Sequence, residues 1–117
     1  MSVAEPNVQT ILLGDAIERA PAAVLVADED GRYIAANAYA CEMLGYERAE
    51  LLELNVLDVA QYDGAREVFD ALVASRVQAG TAQLQRKDGT TVTFAYHAGE
   101  TTLAGMTYYV AVGWPAE

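Results

Sequence analysis

The last third of the chain does most to limit its fold. Thr81 to Arg86, Thr91 to Ala98 and Gly105 to Trp114 are strand-length segments rich in Thr, Val, Tyr and Phe. These residue types suit a pleated, half-buried surface. Between the first two lies Lys87-Asp88-Gly89-Thr90, a turn centred on Asp-Gly, whose glycine readily takes the backbone angles of a tight hairpin. Gly99 to Ala104 reads as a loop. Three antiparallel strands in sequence expose an apolar face, and other parts of the chain must cover it.

The first third supplies two more strands. Ala22 to Ala27 and Arg32 to Ala36 flank Asp28-Glu29-Asp30-Gly31, and together they read as a hairpin with a four-residue loop. Before them, Val8 to Ala20 carries Val8, Ile11, Leu12, Ala16 and Ile17 at helical spacing, and Pro21 ends that helix. Asn37 can cap a short helix over Ala38 to Leu44, which stops at Gly45. Glu47 to Leu52 reads as another short helix, and Leu54 to Tyr62 as irregular or briefly helical. Asp63 to Ala79 is the longest expected helix, with Ala65, Val68, Phe69, Leu72, Val73 and Val77 on its buried face and Gly80 closing it.

The expected fold is therefore α+β. Two strands from one end and three from the other share a five-stranded antiparallel sheet, and short helices cover one face. An N-terminal flanking helix occupies residues 1–20, the core residues 21–114 and a short tail residues 115–117. This layout leaves an apolar space between sheet and helices.

Composition narrows the function classes. The chain has 117 residues, one domain's worth, and 53% are hydrophobic, which argues against disorder. Seven basic against seventeen acidic side chains give a net charge of −10. Direct binding to nucleic acid or to an anionic membrane is not expected, because both partners are themselves negative. The lone cysteine, Cys41, cannot form an intrachain disulfide, which favours a reducing compartment. Met1 to Asn7 has no basic stretch followed by an apolar run, so no signal peptide is expected, and no segment is apolar enough to span a membrane. The expected location is cytoplasmic.

Several stretches, in order, resemble a PAS domain. They are Ala16-Ile17-Glu18-Arg19-Ala20-Pro21 leading into Val24-Leu25-Val26-Ala27-Asp28, then Asp30-Gly31-Arg32-Tyr33-Ile34 and Ala36-Asn37-Ala38. Leu44-Gly45-Tyr46 follows, then Ala49-Glu50-Leu51-Leu52, and Arg86-Lys87-Asp88-Gly89-Thr90 before an alternating strand. The resemblance covers about Asp15 to Trp114. It implies a sensor or dimerisation module of bacterial-type signal transduction, regulating an attached signalling or transcription output. It does not name a ligand, because one fold hosts many functions. Many PAS domains leave through an Asp-Ile-Thr-like exit, whereas this chain has Gly113-Trp114-Pro115-Ala116-Glu117 there.

The same resemblance locates where cofactors would bind. The light-sensing flavin subfamily has a reactive cysteine where this chain has Val56, within Asn55-Val56-Leu57-Asp58-Val59. Valine cannot form the adduct. The strand positions that supply amides to the flavin correspond to Phe94, Tyr96 and Gly113. Haem-binding members place a histidine on the long helix, and Asp63 to Ala79 has none. The one histidine, His97, shares a strand face with Thr91, Thr93 and Ala95, opposite the more apolar Val92, Phe94, Tyr96 and Ala98. It is expected to point away from the core. One Cys and one His carry no metal-ligand spacing. Cys41, beside Met43 and Leu44, reads as a small packed hydrophobe. Asp28, Glu29 and Asp30 lie in a turn, and no glycine-rich phosphate loop is present. Neither a cofactor nor a metal nor catalysis is expected.

What remains is a small apolar or amphipathic organic ligand, with a fatty-acid-like molecule one candidate, or a closed core. The expected ligand-binding residues are Leu25, Ala27, Ala40, Leu44, Leu54, Val56, Phe69, Leu72, Val73, Phe94, Tyr96, Tyr109 and Ala111. Ala36, Leu57 and Leu84 also belong to the expected lining. Small side chains on a sheet can leave room for a guest, and Tyr96 and Tyr109 can each offer a hydroxyl. The alternative function is a ligand-free PAS module used for dimerisation or protein contact. The expected interface of a homodimer is Val8, Ile11 and Leu12 of the N-terminal helix with Tyr108 and Val110 of the outer sheet face, matched by the same patch on a second copy.

Overall fold

The fold is given by a computed structural model, which describes residues 6–60 and 64–116. Five antiparallel strands form one sheet. They are β1 (Ala23–Asp28), β2 (Tyr33–Ala36), β3 (Val77–Gln85), β4 (Thr91–Leu103) and β5 (Met106–Pro115). Their order across the sheet is β2-β1-β5-β4-β3. The last strand of the chain sits in the centre, joining the N-terminal hairpin to the C-terminal meander. Helices α2 (Ala38–Leu44), α3 (Arg48–Leu51), α4 (Val56–Val59) and α5 (Ala65–Ser75) occupy the connection between β2 and β3. A further helix, α1 (Pro6–Glu18), precedes the sheet.

Alternation sets what each strand buries. Ala23, Leu25 and Ala27 of β1 point into the core, and so do Leu84 of β3, Val92, Phe94 and Ala98 of β4 and Tyr109 of β5. Leu44, Leu51 and Val59 from α2, α3 and α4 are the largest fully enclosed side chains on the helical side. His97 lies on the other face, exposed and paired with Val112.

Local signals fix the helix ends. Asn37 caps α2, its side-chain oxygen accepting from the Ala40 N–H, and Gly45 ends the helix at φ +79°. Asn55 caps α4 and also donates through Nδ2 to the Asp30 carbonyl, while the Val56 N–H donates to the Gly31 carbonyl at 2.7 Å. These bonds tie α4 to the β1–β2 turn. The β3–β4 turn is anchored the same way. The Lys87 N–H donates to the Leu44 carbonyl and Arg86 Nε to the Met43 carbonyl.

Two expected boundaries are corrected. The long helix was expected to run to Ala79, but it ends at Ser75, with Arg76 in the left-handed region at φ +70°. Val77 to Gly80 instead enter β3, pairing with Gly99 back to Tyr96. The partner strand offers these residues a full ladder of backbone bonds, extended by the Glu100 N–H donating to the Arg76 carbonyl. Val77 therefore lies exposed and not on a buried helix face. Likewise, Gly99 to Leu103 belong to β4 and not to a loop. The turn to β5 is only Ala104-Gly105, both at positive φ, as the tightest hairpins require. The expected helix start at Asp63 and the expected loop end at Tyr62 lie outside the described residues.

Helix α1 buries none of its residues. Its C-terminal end is nonetheless fixed to the core. Glu18 pairs with Arg48 Nη2 at 2.6–2.7 Å and accepts from the Ala38 N–H, while Arg48 Nε donates to the Ala36 carbonyl. Arg48 holds the Glu18 carboxyl below its ordinary pKa, and Lys87 does the same for Glu50. A lowered folded-state pKa means the fold prefers the carboxylate. The contribution is complete above 4.5, the ordinary value, and is lost as pH falls through the lower folded value. Melting temperature is therefore expected to decline as the pH drops below 4.5, and the Glu18→Gln/Glu50→Gln double variant is expected to show a shallower decline. An identical acid profile in the double variant would refute this assignment.

Candidate functional site

A cavity of about 100 Å³ lies between the inner face of the sheet and helices α4 and α5. Its floor is made of small side chains on neighbouring strands, with Ala27 on β1, Ala111 on β5, Ala98 on β4 and Ala82 on β3. Its roof includes Ala60 and Ala65 beside Val56, Val68, Phe69 and Leu72. Alanines on both sides keep floor and roof apart, where leucines would close the gap. A cavity of about 150 Å³ can hold a benzene-sized guest, so the present one is of the order needed for one small ring or short chain.

Aromatic rings frame the space. Phe69 meets Tyr109 edge to face with centroids 6.1 Å apart, and Phe94 stacks on Tyr96 at 5.8 Å with planes 12° apart. Gly113 makes the second pair possible. A Cβ on Gly113 would stand 2.9 Å from Phe94 Cε1 and press on the Ala95 carbonyl oxygen and Tyr96 Cα. Phe94 thus fills the volume that any side chain at position 113 would need.

The lining is almost wholly apolar, with tyrosines and one amide as its polar groups. Tyr33 is buried, and burial, with help from the Asp58 charge, pushes its hydroxyl pKa well above the ordinary tyrosine value. Burial raises Tyr109 in the same way. Both stay protonated across the physiological range and can donate or accept. Gln78, on β3, also faces the cavity.

The lining contains Leu25, Ala27, Val56, Phe69, Leu72, Phe94, Tyr96, Tyr109 and Ala111, all expected from sequence. Four other expected residues do not line it. Ala40 and Leu44 are fully buried where α2 rests directly on β1, with no gap between them. Leu54 packs against the main core just before α4, and Val73 packs beside Leu72 and Tyr109. Ala36 and Leu57 belong to the main core in the same sense. Leu84 lines it as expected, and sequence reasoning missed Tyr33, Ala60, Ala65, Val68, Gln78, Ala82 and Ala98, as well as Val110, which was expected only at the interface. The strand-internal position of Ala98 opposite Ala111 would have pointed to it. Gln78 was hidden by the misplaced helix end.

The expected interface residues lie at the surface. Ile11 and Leu12 are 70% and 52% exposed, and Val8 is partly so. Tyr108 and Val110 are half-buried on the outer sheet face. Cys41 is half-buried at the edge of the core, and burial raises its thiol pKa, partly opposed by Arg48. Among the described residues no group of three His, Cys, Asp or Glu side chains could hold a metal ion, and no helix is long and apolar enough to cross a membrane.

Comparison with known proteins agrees with this architecture. A family model described as PAS domain matches residues 21–112. The chain belongs to the PAS-domain family. Its fold is similar to the PAS domain of an HTR-like protein from Haloarcula marismortui, at 23% identity and a TM-score of 0.81 over 94% of this chain and 93% of that one. It is also similar to a PAS domain from a two-component sensor histidine kinase, at 13% identity and a TM-score of 0.84 over 96% of this chain and all of that one. An RNA-binding light-oxygen-voltage receptor matches at 20% identity and a TM-score of 0.84, over 98% of this chain but 35% of the receptor. No curated protein matches. Identities this low speak to the fold, and PAS domains are sensory modules of signalling proteins.

Proposed function

We propose that this PAS domain is a non-enzymatic sensor that binds a small, mostly apolar organic molecule between its sheet and α5, and thereby regulates a signalling or transcription output in a cytoplasmic protein. The observation that carries the reading is the alanine-floored cavity, with Tyr109 and Gln78 on its wall. Apolar space with a few polar groups is the usual form of a small-molecule site. Val56 faces the cavity without a thiol, and His97 lies exposed on the opposite face. Both favour a freely exchanging organic guest over a flavin adduct or ligated haem.

Native mass spectrometry of freshly purified protein is expected to show a co-purified small molecule, and a metabolite and lipid screen to raise the melting temperature. Ala111→Leu places three extra carbons on the cavity floor. It is expected to leave the domain folded and abolish that rise. A clean apo mass with no thermal shift, or full retention of the shift in Ala111→Leu, would refute the pocket.

A second reading rests on α1. Ile11, Leu12, Leu13 and Ile17 are each 46–70% exposed, and Val112 and Trp114 leave the outer sheet face apolar. Exposed apolar area of this kind favours association. The expected state is a homodimer through these faces. Light scattering should give twice the monomer mass, and Ile11→Glu or Leu12→Glu should return it to one. A monomer at high concentration would remove the dimer.

A further inference from the structure

We infer that Gln78 is the polar anchor of the cavity, and that the guest it selects carries a neutral hydrogen-bond donor, a hydroxyl or an N–H, on an otherwise apolar frame. This rests on the ligand-binding reading above and specifies its chemistry. Gln78 stands opposite Ala98 on β3, on the same face as Ala82 and Leu84, so its side chain enters the cavity wall. Its Oε1 is buried and has no hydrogen-bond partner among the described residues. Buried side-chain acceptors in folded proteins are nearly always paired, and an unpaired one marks a place where another molecule completes the bond. The rest of the cavity wall is mostly carbon, with Leu72, Phe69 and the paired Ala98 among its residues and Tyr109 adding a hydroxyl. An acceptor oxygen needs a donor. An ionised carboxylate has only acceptors and cannot satisfy this oxygen; the fatty-acid-like guest considered from sequence would have to bond to the Gln78 N–H or a tyrosine hydroxyl and leave Oε1 unpaired. A phenol, an alcohol or an aromatic N–H compound fits in both polarity and size.

The test compares phenol with toluene, guests of nearly equal shape that differ in one donor. Binding of each is measured by titration calorimetry or NMR for the wild-type domain, Gln78→Leu and Gln78→Met. The last two keep side-chain bulk and remove the amide. Gln78→Leu is expected to weaken phenol about tenfold relative to toluene, the effect of one hydrogen bond. Toluene affinity should stay within about twofold, which also shows that the fold is intact. If Gln78→Leu fails to fold, Gln78→Met gives the same comparison. An unchanged phenol-to-toluene ratio in the folded variant overturns the role of Gln78 while leaving the cavity reading in place. If neither compound binds the wild-type domain, the cavity reading itself fails, and the anchor with it.

Discussion

Replacing Gly113 with alanine is expected to cost at least about 3 kcal/mol, a large share of the 5–15 kcal/mol that holds a domain of this size together. Gly113 lies on β5, the central strand, between Ala23 of β1 and Tyr96 of β4. An added methyl would meet the Ala95 carbonyl oxygen and Tyr96 Cα, both backbone atoms of a strand paired on each side, and would also crowd Phe94 Cε1. A side chain can rotate away from such a contact, but a paired backbone can move only by breaking ladder bonds. Phe94 cannot retreat either, because it stacks on Tyr96. Urea unfolding followed by circular dichroism measures the loss. The same variant should lose any ligand-dependent thermal shift, since Phe94 walls the cavity. A cost below about 1 kcal/mol would show that β5 has slack this packing does not contain.

Gly113 also illustrates what the sequence makes legible. Features carrying their own local chemistry were readable. Asp88-Gly89 marks the β3–β4 turn, Asn37 the start of α2 and Gly45 its end, and the alternation of Val92, Phe94 and Ala98 fixed which face turned inward. Features decided by distant partners were not readable. Val77 to Gly80 suit a helix end or a strand about equally, and only β4, which arrives much later in the chain, settles them as a strand. The same pairing carried β4 on to Leu103 and placed Gln78 in the cavity wall. Membership of the cavity was legible by face and illegible by depth. Ala40, Leu44 and Ala111 all point toward the interior. Whether they border space depends on how closely a helix rests on the sheet at that point. Helix α2 sits tight on β1, whereas α4 and α5 stand off behind Ala60 and Ala65.

Asn37→Ala is the second large effect expected, at about 3–4 kcal/mol, because four backbone groups, in one buried and three part-buried bonds, lose their partner together. Its Oδ1 accepts from the Val24 and Ala40 N–H groups, and its Nδ2 donates to the Ile17 carbonyl at 2.7 Å and the Ala22 carbonyl at 2.9 Å. One buried side chain thus joins the end of α1, the start of β1 and the first turn of α2. Its own backbone adds another link to β1, the Asn37 N–H donating to the Val24 carbonyl. No other residue type of that size offers two donors and two acceptor lone pairs at once. Asn37→Ser should recover only the α2 cap, about 1 kcal/mol, and leave the Ile17 and Ala22 carbonyls unpaired. The order of stability is therefore wild type, Ser, Ala. Hydrogen exchange gives a second readout. Because α1 buries no side chain, its attachment rests on this amide and on the Glu18–Arg48 pair. The amides around Ile17 to Ala22 should exchange faster in both variants, while those of β4 and β5 slow or speed only with global stability. Equal stability of Asn37→Ala and wild type would show that water replaces all four bonds without cost. In that case the bonds of Glu18 to Arg48 and to the Ala38 N–H would be the side-chain ties that hold α1 to the core.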